Sequence, residues 1–445
     1  MTATPPAPAA PPTPAKPPSA RVSGDGLAAR RALRNARLRG VVFIASAAFA
    51  LYSAASSFGT AAVFSFWIDK QGGESASLQT NVGVLWMVAG VVSAIVGVMQ
   101  LVRGAEFRWR PWLLVLFAPW IAAVLAELLG GKPAVLSNVI AGSLELAVPV
   151  TMAALAGILS ERSGMFNIAL EGKMLIGALT ASVGASVAML VTGNSLVSVL
   201  IGIGAAMLVS GLLGLLLGWL AIRHGVNQVI AGTVINIGAV GITSFIFLRV
   251  LGRNTELNSP PTVELMRLPF LSDIPVLGPI LFSAKPYVYV GYILVIFLTY
   301  MIYRTRWGLR LRASGEKPAA AGTVGINVLA IRYRALFFAG LICGLAGSYL
   351  SLSTAGSFQI QMTAGKGFIG LAAMIFGGWH PIGAFFAALL FGFADAVQSL
   401  LSILGVGIAP QLLASVPYVV TIVVVAGVVG RVRGPASAGQ MYEQG

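Results

Sequence analysis

The sequence has little charge, a single cysteine and two histidines among its 445 residues. Only 10% of the residues are charged, against about 25% in soluble domains, while 57% are hydrophobic and the mean hydropathy is +0.88. The one cysteine, Cys343, lies among apolar and small residues, which excludes a disulfide framework or a metal cluster built from cysteine alone. This composition is typical of an integral membrane protein.

The common signatures of enzymes are also missing. His224 and His380 each stand at the end of a predicted membrane span, and their spacing is not that of metal ligands. A phosphate-binding P-loop requires Gly-Lys followed by serine or threonine. The Gly-Lys pairs at 131–132, 172–173 and 365–366 are followed by proline, methionine and glycine. We therefore expect a chain that is not an enzyme and that binds no cofactor itself.

Apolar runs of about 20 residues, the length of a helical membrane span, follow one another along the chain. The alternation expected of β-barrel strands is absent. The sequence predicts an all-α polytopic membrane protein with about twelve transmembrane helices, broken or re-entrant segments and an internal inverted repeat. The predicted spans cover residues 41–67, 82–102, 111–130, 136–159, 172–192, 198–222, 227–250, 286–303, 335–353, 364–379, 382–402 and 411–430.

Basic residues lie between the spans and give the chain a net charge of +15. This pattern follows the positive-inside rule and does not indicate a nucleic-acid ligand. Residues 1–20 are rich in proline and alanine and are followed by five arginines, so residues 1–39 are predicted to be a disordered, basic, cytoplasmic tail. The basic loop 304–334 then also lies in the cytoplasm, the proline-rich segment 251–285 lies outside, and both termini are cytoplasmic.

One polar stretch, residues 160–177, interrupts the apolar pattern. Inside a membrane such a stretch is tolerated only within protein or beside a cavity, because unpaired charge and backbone cost several kcal/mol. A glycine-interrupted polar break is typical of the substrate pathway of a transporter. The polar and charged residues of this stretch include Glu161, Arg162, Asn167, Glu171 and Lys173.

The motif Gly-Lys-Met-Leu-Ile-Gly at 172–177 returns as Gly-Lys-Gly-Phe-Ile-Gly at 365–370. Coincidence in a chain rich in glycine and alanine is one explanation, and an internal duplication is the other. The predicted topology starts the two copies from opposite faces of the membrane, as inverted repeats require.

Several further polar residues fall within predicted spans, where charge is expensive and is by default functional or paired. Glu145 stands near Pro149, and Asp395 either contacts substrate or neutralises Lys366. Asn236 either lines a path or bonds a neighbouring helix. Neutral amides of this kind suit a sugar or a nucleoside better than an ion.

The longest cytoplasmic loop contains a predicted short helix. Pro318 suits the first helical position, Glu316 lies at the positive end of the helix dipole, and Gly325 can close the helix, which should run over 318–324. A basic loop that only holds orientation is the alternative. A compact helix with a flat alanine and glycine surface favours docking onto a partner.

Taken together, these residues resemble the permease subunits of ATP-binding-cassette (ABC) importers, in the group related to ribose and branched-chain amino acid permeases. The most similar branch is the nucleoside type, which works with basic-membrane-protein-like binding lipoproteins. The resemblance covers residues 136–430. The matching residues are Ser160–Gly164, Asn167, 170–172, Met174 and Gly177; 225–227, Gly232 and Asn236; 308–313, Gly315, Glu316, Ala319, Ala320 and 325–327; and 365–369, Phe376, Gly377, Trp379, 381–384, Ala394 and Asp395.

The resemblance implies a bacterial cytoplasmic-membrane importer subunit. It implies ABC ATPase subunits that bind ATP and Mg, a second homologous permease subunit, and an extracellular substrate-binding lipoprotein. It makes residues 40–135 an N-terminal transmembrane extension, 136–430 the permease domain and 431–445 a cytoplasmic tail. The expected pathway residues are Asn167, Glu171, Asn236, Asp395 and Lys366. The expected coupling residues are Gly315, Glu316, Ala319, Ala320 and Gly325, while Lys317 and Ala321 depart from the family pattern.

Three alternatives stay open. Within the ABC importers, the cargo is a sugar or a branched-chain amino acid. In an ion-coupled secondary transporter, Asp395, Glu145 and Glu171 would be ion sites. A membrane enzyme acting on lipid would use Glu161, Glu171 and His224, but no paired catalytic set accompanies them.

Overall fold

The computed structural model describes residues 22–65, 77–107, 112–131, 134–274, 277–405, 412, 415, 434–440 and 442. Fourteen α-helices dominate these residues, which confirms the predicted all-α class. The helices are α1 (Val22–Ser57), α2 (Val82–Arg103), α3 (Leu113–Leu129), α4 (Leu136–Arg162), α5 (Leu170–Thr192), α6 (Ser195–Gly218), α7 (Gln228–Ile246), α8 (Leu277–Leu281), α9 (Pro286–Arg304), α10 (Arg306–Glu316), α11 (Pro318–Thr323), α12 (Val328–Ser348), α13 (Lys366–Phe376) and α14 (Pro381–Ile403).

Shorter elements extend or connect these helices. Wider π-helical turns continue α6 over Trp219–Arg223, α7 over Phe247–Leu251 and α12 over Tyr349–Ala355. The strands are β1 (Ala61–Ser65), β2 (Ser77–Asn81), β3 (Ala134–Val135), β4 (Met266–Arg267) and β5 (Ser283–Ala284). In register, Phe64 pairs with Ala134 in parallel and Met266 pairs with Ala284 antiparallel.

Nine helices among the described residues are long and apolar enough to cross a membrane, and this bears out the predicted multispan architecture. Of the twelve predicted spans, the one at 411–430 lies largely outside the described residues. Two others are shorter than a span: α3 has 17 residues and α13 has 11. The prediction of a full span over 364–379 was therefore wrong, because residues 356–365 are not helical and only a half-length helix follows.

The N-terminal prediction also needs correction. Residues 22–39, assigned to a disordered tail, belong to α1, which continues to Ser57 without a break. The prolines of the tail end at position 18, and the alanines, arginines and leucines that follow are strong helix formers. The first predicted span, 41–67, extends ten residues beyond the observed end of α1, because Gly59 and a strand follow that helix.

The chain divides into two compact units, of which the first comprises residues 1–63 and 79–132. Its helices α1 and α2 approach closely because glycines recur every seven residues on α2. A Cβ atom at Gly90 would lie 2.8 Å from Leu51 Cγ, and one at Gly97 would lie 2.9 Å from Ile44 Cγ1. The Glu127 carboxylate of α3 accepts hydrogen bonds from Ser57 Oγ (2.7 Å) and Trp86 Nε1 (3.2 Å), so its charge has partners within the apolar bundle.

The second unit comprises residues 64–78 and 133–445 and is built around α4 and α12, the most enclosed of the long helices. Small residues allow α12 to touch the backbones of α5 and α6. A Cβ at Gly340 would lie 2.3 Å from the Ser210 carbonyl oxygen, and one at Gly344 would lie 2.2 Å from the Ala206 carbonyl oxygen. Close backbone packing of this kind replaces the hydrophobic driving force that is absent between helices in lipid.

Replacing Gly347 by leucine is expected to separate α12 from α5. A Cβ there would lie 2.1 Å from the Met174 carbonyl oxygen, a backbone atom that cannot turn aside. Overpacking costs about 1–3 kcal/mol even where side chains can adjust. Thermal unfolding of the detergent-solubilised protein should show a lower midpoint for Gly347→Leu. Gly204→Leu, where nothing lies within 4 Å, should melt like the parent. Equal midpoints for the two variants would contradict the packing.

Candidate functional site

The polar break between α4 and α5 covers only residues 163–169. It is shorter than the predicted interruption at 160–177, because Glu171, Lys173 and Gly177 lie within α5. The chain turns at Gly164, whose φ of +92° favours glycine, and the Met165 amide donates to the Ser160 carbonyl at 3.1 Å. The break thus folds back against the end of α4.

Asn167 holds a buried lysine at the start of α5. Its Oδ1 accepts a hydrogen bond from Lys173 Nζ at 2.8 Å, and its Nδ2 donates to Ser160 Oγ at 2.9 Å. Both Asn167 and Lys173 have 0% exposed surface. A fully buried ammonium is costly unless it is hydrogen-bonded, so this amide compensates part of the cost of placing Lys173 in the bundle.

Glu171, which directly precedes the first copy of the repeated motif, binds the backbone of the second copy. Its Oε1 accepts from the Gly365 amide at 2.8 Å, and its Oε2 accepts from the Gly367 amide at 2.7 Å. A carboxylate at the N-terminus of α13 satisfies otherwise unpaired amides and is attracted by the helix dipole. Gly367 is required for this approach, since a Cβ there would lie 2.6 Å from the Glu171 Cα. The carboxylate of one helix therefore caps a half-helix almost two hundred residues later.

Asn236 of α7 fastens that helix to the break. Its Oδ1 accepts from the Gly172 amide at 2.8 Å and its Nδ2 donates to the Ile168 carbonyl at 2.9 Å. Only 8% of the residue is exposed. In the described conformation, Asn167, Glu171 and Asn236 therefore bind protein groups on both sides of the break. Their exposure to substrate during transport remains a prediction.

Lys366 and Asp395 form an ion pair between α13 and α14, with Nζ 3.2 Å from Oδ2. The side chains are 18% and 16% exposed, so the pair is mostly shielded from solvent. This geometry corresponds to one of the two roles predicted for Asp395, the neutralisation of the Lys366 charge. It gives the lysine of each motif copy a partner, Asn167 for Lys173 and Asp395 for Lys366.

The end of α4 meets the turn between α13 and α14. The Trp379 indole donates to Glu161 Oε2 at 2.6 Å, and the Arg162 guanidinium donates to the Trp379 carbonyl at 3.1 Å. We call this end of the second unit, which also carries α10 and α11, the basic end.

The ring of His380 stacks on Tyr303 with centroids 4.8 Å apart. Burial first, and then the Arg162 guanidinium, lowers the pKa of His380 from its ordinary value of 6.5, which favours the neutral ring.

The predicted short helix of the long loop is present at the basic end as α11, Pro318–Thr323, and Gly325 closes it with a φ of +79°. Its role in coupling stays a prediction. Glu316, Ala319, Ala320 and Gly325 are exposed, as a docking surface requires. Gly315 differs from this expectation. It is buried at the end of α10, where a Cβ would lie 2.3 Å from the Arg162 carbonyl oxygen, so it cannot meet a partner directly.

A cavity of about 500 Å³ lies at the opposite end of α7 and α12 from the break. Its lining contains hydroxyl, amide and aromatic groups and no charged side chain. The lining residues are Phe247, Leu251, Gly252, Thr255, Asn258, Ser259, Pro260, Gly356 and Ser357. Asn258 organises this wall, because its Oδ1 accepts from the Phe358 amide at 2.7 Å and its Nδ2 donates to the Phe358 carbonyl at 3.0 Å.

Three residues with structural roles, Trp379, Asn258 and Arg332, are not among the predicted site residues. Trp379 is one of the residues that resemble the permease family, and the glycine pair before it is a signal for a turn. Asn258 stands in a loop where asparagine is common. Arg332 was counted among the loop arginines, yet it lies in α12 and is 2% exposed. Among the described residues, no group of three metal-ligating side chains is positioned to hold a metal ion.

Comparisons with known proteins agree with this architecture. The family described as branched-chain amino acid transport system / permease component matches residues 139–426. The guanosine ABC transporter permease protein NupQ of Bacillus subtilis is 38% identical over 316 residues, which are 70% of this chain and 98% of the relative. The nucleoside ABC transporter permease protein NupC of Lactococcus lactis is 34% identical over 312 residues, 69% of this chain and 97% of the relative.

A more distant relative has another cargo in its name. The putative glucose ABC transporter permease protein TsgC13 of Haloferax volcanii is 32% identical over 260 residues, 58% of this chain and 75% of the relative. No solved structure matches the chain.

Proposed function

The chain belongs to the family of branched-chain amino acid transport system permease components, and we propose that it carries nucleosides as the membrane subunit of an ABC importer. Two relatives that align over almost their whole length are named for guanosine and for nucleosides. This is the observation that carries the proposal. A sugar is the second candidate, because a relative named for glucose is 32% identical.

The chemistry of the cavity supports an uncharged cargo. The hydroxyls of Thr255, Ser259 and Ser357 can bond ribose hydroxyls, and the ring of Phe247 offers an apolar face to a base. A carboxylate, as in an amino acid, would find no charged partner in this lining. A sugar would make less use of Phe247 than a nucleoside does.

The basic end faces the cytoplasm in this proposal, as the positive-inside rule requires. ATPase subunits, which hold ATP and Mg, then dock on α11, and the cavity faces the extracellular binding lipoprotein. A second permease subunit completes the pathway. Both termini lie in the cytoplasm of the bacterium.

Transport requires that the helices on the two sides of the break change their packing against each other. Movement of α11 by the ATPase would reach the break through Gly315, whose neighbours are backbone atoms of Arg162 and Gly164. Helix α5, which begins directly after the break, is tied to α13 by the hydrogen bond of Glu171 and to α7 by that of Asn236. Alternating access then consists of a change in packing around these ties. We place Asn167, Glu171, Asn236, Lys366 and Asp395 beside the pathway in the states that open it.

Uptake assays decide the cargo. Cells that express this chain with its ATPase, second permease and binding lipoprotein should accumulate radiolabelled guanosine in an ATP-dependent manner. Excess unlabelled nucleoside should compete, and glucose, ribose and leucine should not. Competition by a sugar alone would transfer the assignment to the second candidate. Accumulation that follows an ion gradient and ignores ATP would overturn the ABC mechanism.

Replacing Ala320 by glutamate is expected to release the ATPase. Ala320 is exposed on α11, and a carboxylate at the centre of a docked surface would be desolvated without a partner. The amount of ATPase that co-purifies in detergent should fall at least about tenfold. Ala55→Glu, the same change at an exposed alanine in the last turn of α1, serves as the control. Retention of the ATPase by Ala320→Glu would place the docking surface elsewhere.

A further inference from the structure

A short segment near the end of the chain is bound to the basic end of the second unit. It consists of residues 434–440 and Tyr442, and we call it the clasp. It lies beyond residues 139–426, the part of the chain that the family matches. The sequence predicts a cytoplasmic tail here, but in the structure Ser437 has only 2% of its surface exposed.

The clasp bonds two elements that the transport mechanism must move together. The Ser437 amide and Oγ both donate to the Gly315 carbonyl, at 2.9 and 2.6 Å. Two residues later, the Gly439 amide donates to the Gly164 carbonyl at 3.3 Å. One side of the clasp therefore holds the end of α10, just before α11, and the other side holds the turn that opens the break.

The clasp also covers a buried charge. Arg332 is 2% exposed, its Nη1 donates to the Gln440 carbonyl at 3.4 Å, and its guanidinium carbon lies 5.7 Å from the centre of the Tyr442 ring. Its Nε and Nη2 have no hydrogen-bond partner among the residues that the structure describes. A guanidinium this deeply buried gains from a carbonyl and an aromatic face, so removal of the clasp would leave Arg332 worse compensated.

Tyr442 reaches α11 itself. Its hydroxyl lies 2.6 Å from the position that a Cβ at Gly322 would occupy, so the ring packs over the glycine of the coupling helix. Ala436, which is exposed, lines a groove together with Lys317, Ala320 and Val324. The surface that α11 presents at the basic end is therefore partly made by the clasp.

We propose that the clasp is a coupling element: it fastens α11 and the end of α10 to Gly164, so that movement of α11 on the ATPase is transmitted to the break. Ser437 and Tyr442 are its positioning residues. The inference rests on the proposed ABC function for its consequences, while the docking of the clasp can be measured without transport.

Cysteine labelling tests the docking. Cys343, the only native cysteine, is fully buried and gives little background. In inside-out membrane vesicles, Ser437→Cys should react with a membrane-impermeant maleimide about tenfold more slowly than its exposed neighbour Ala436→Cys. Equal labelling rates at the two positions would overturn the proposal, because the clasp would then be undocked in the membrane.

Uncoupling tests the role. Ser437→Leu removes the Oγ donor to the Gly315 carbonyl and puts a larger, apolar side chain in a buried position, and it should release the clasp. The ATPase should still co-purify and hydrolyse ATP, while nucleoside uptake per ATP should fall roughly tenfold. Ser56→Leu, the same change at an exposed serine of the first unit, should leave uptake at the parental rate.

Tyr442→Leu is a second, milder variant for the case in which Ser437→Leu does not yield folded protein. It removes the ring from Gly322 and Arg332 and should lower uptake per ATP in the same direction. Reactivity of a cysteine at position 437 shows that the clasp has been released. If a folded variant with a released clasp still takes up as much nucleoside per ATP as the parent, the coupling role is refuted. If the parent protein itself showed no ATP-dependent uptake, the proposed function would fail, and the labelling result would still report on the clasp.

Discussion

Replacing Glu171 by glutamine is expected to stop most uptake, because it removes the carboxylate that caps α13. The two oxygens of Glu171 accept from the amides of Gly365 and Gly367, and an amide side chain offers only one acceptor. Its NH₂ group would face a backbone donor. Hydrogen bonds to a charged partner contribute about 1.5–3 kcal/mol each, so the half-helix should lose its fixed position. We expect the maximal rate of guanosine uptake to fall by at least about tenfold.

The kinetic pattern separates the two roles that Glu171 can have. A residue that only positions α13 should lower the maximal rate and leave KM close to the parental value, whereas a residue that contacts the nucleoside should raise KM. Glu264→Gln, the same change at an exposed glutamate, controls for general effects on expression. Unchanged uptake in Glu171→Gln would show that the contact between the motif copies is dispensable.

Replacing Asn167 by leucine is expected to unfold or severely destabilise the permease. It removes the hydrogen-bond acceptor of Lys173, which is fully buried in α5. A hydrogen bond to a charged group contributes about 1.5–3 kcal/mol, and without it the buried charge is left uncompensated. The thermal midpoint in detergent and the monodisperse fraction in gel filtration should both fall sharply.

The reverse change should be much milder. Lys173→Met replaces the ammonium by an apolar side chain of similar length and leaves only a neutral amide without its donor. The double variant Asn167→Leu with Lys173→Met should therefore recover most of the stability lost in the single Asn167 variant. If the losses of stability of the two single variants simply add in this double-mutant cycle, Lys173 and Asn167 are not energetically coupled.

The contact between the motif copies gives the repeat a physical meaning. Helix α5 begins at Leu170 and the half-length α13 begins at Lys366, so the starts of these two helices meet at the Glu171 carboxylate. Transporters commonly place such starts at the centre of their pathway. The inverted relation of the two copies stays a prediction, but the contact of Glu171, which directly precedes the first copy, with the second copy is observed.

Much of the architecture followed from local sequence. The apolar runs at 136–159, 198–222 and 286–303 became helices whose ends differ from the prediction by a few residues, because span length and flanking charge are local properties. The helix begun by Pro318 and closed by Gly325 was also predicted within one residue of its observed end. Caps and turn residues act on their own neighbours, so they can be recognised from the sequence alone.

Local pattern did not reveal which polar groups bind one another. Glu171 and Gly365 are 194 positions apart, and Glu161 and Trp379 are 218 apart. In each pair, both residues were visible as polar or special residues in the sequence, but no spacing rule connects them. Their partners are decided by how α4, α5 and α13 pack.

The sequence by itself therefore determined the class of the protein, the positions of most spans, the short helix that begins at Pro318 and the residues that resemble a permease. Only the tertiary structure decided that Gly315 is buried, that the break is seven residues long, that Glu171 caps a distant half-helix and that residues 434–440 are docked. The physical reason is range: hydropathy and capping act within one or two turns, whereas a buried polar group is satisfied by whichever element the packing brings within hydrogen-bond distance.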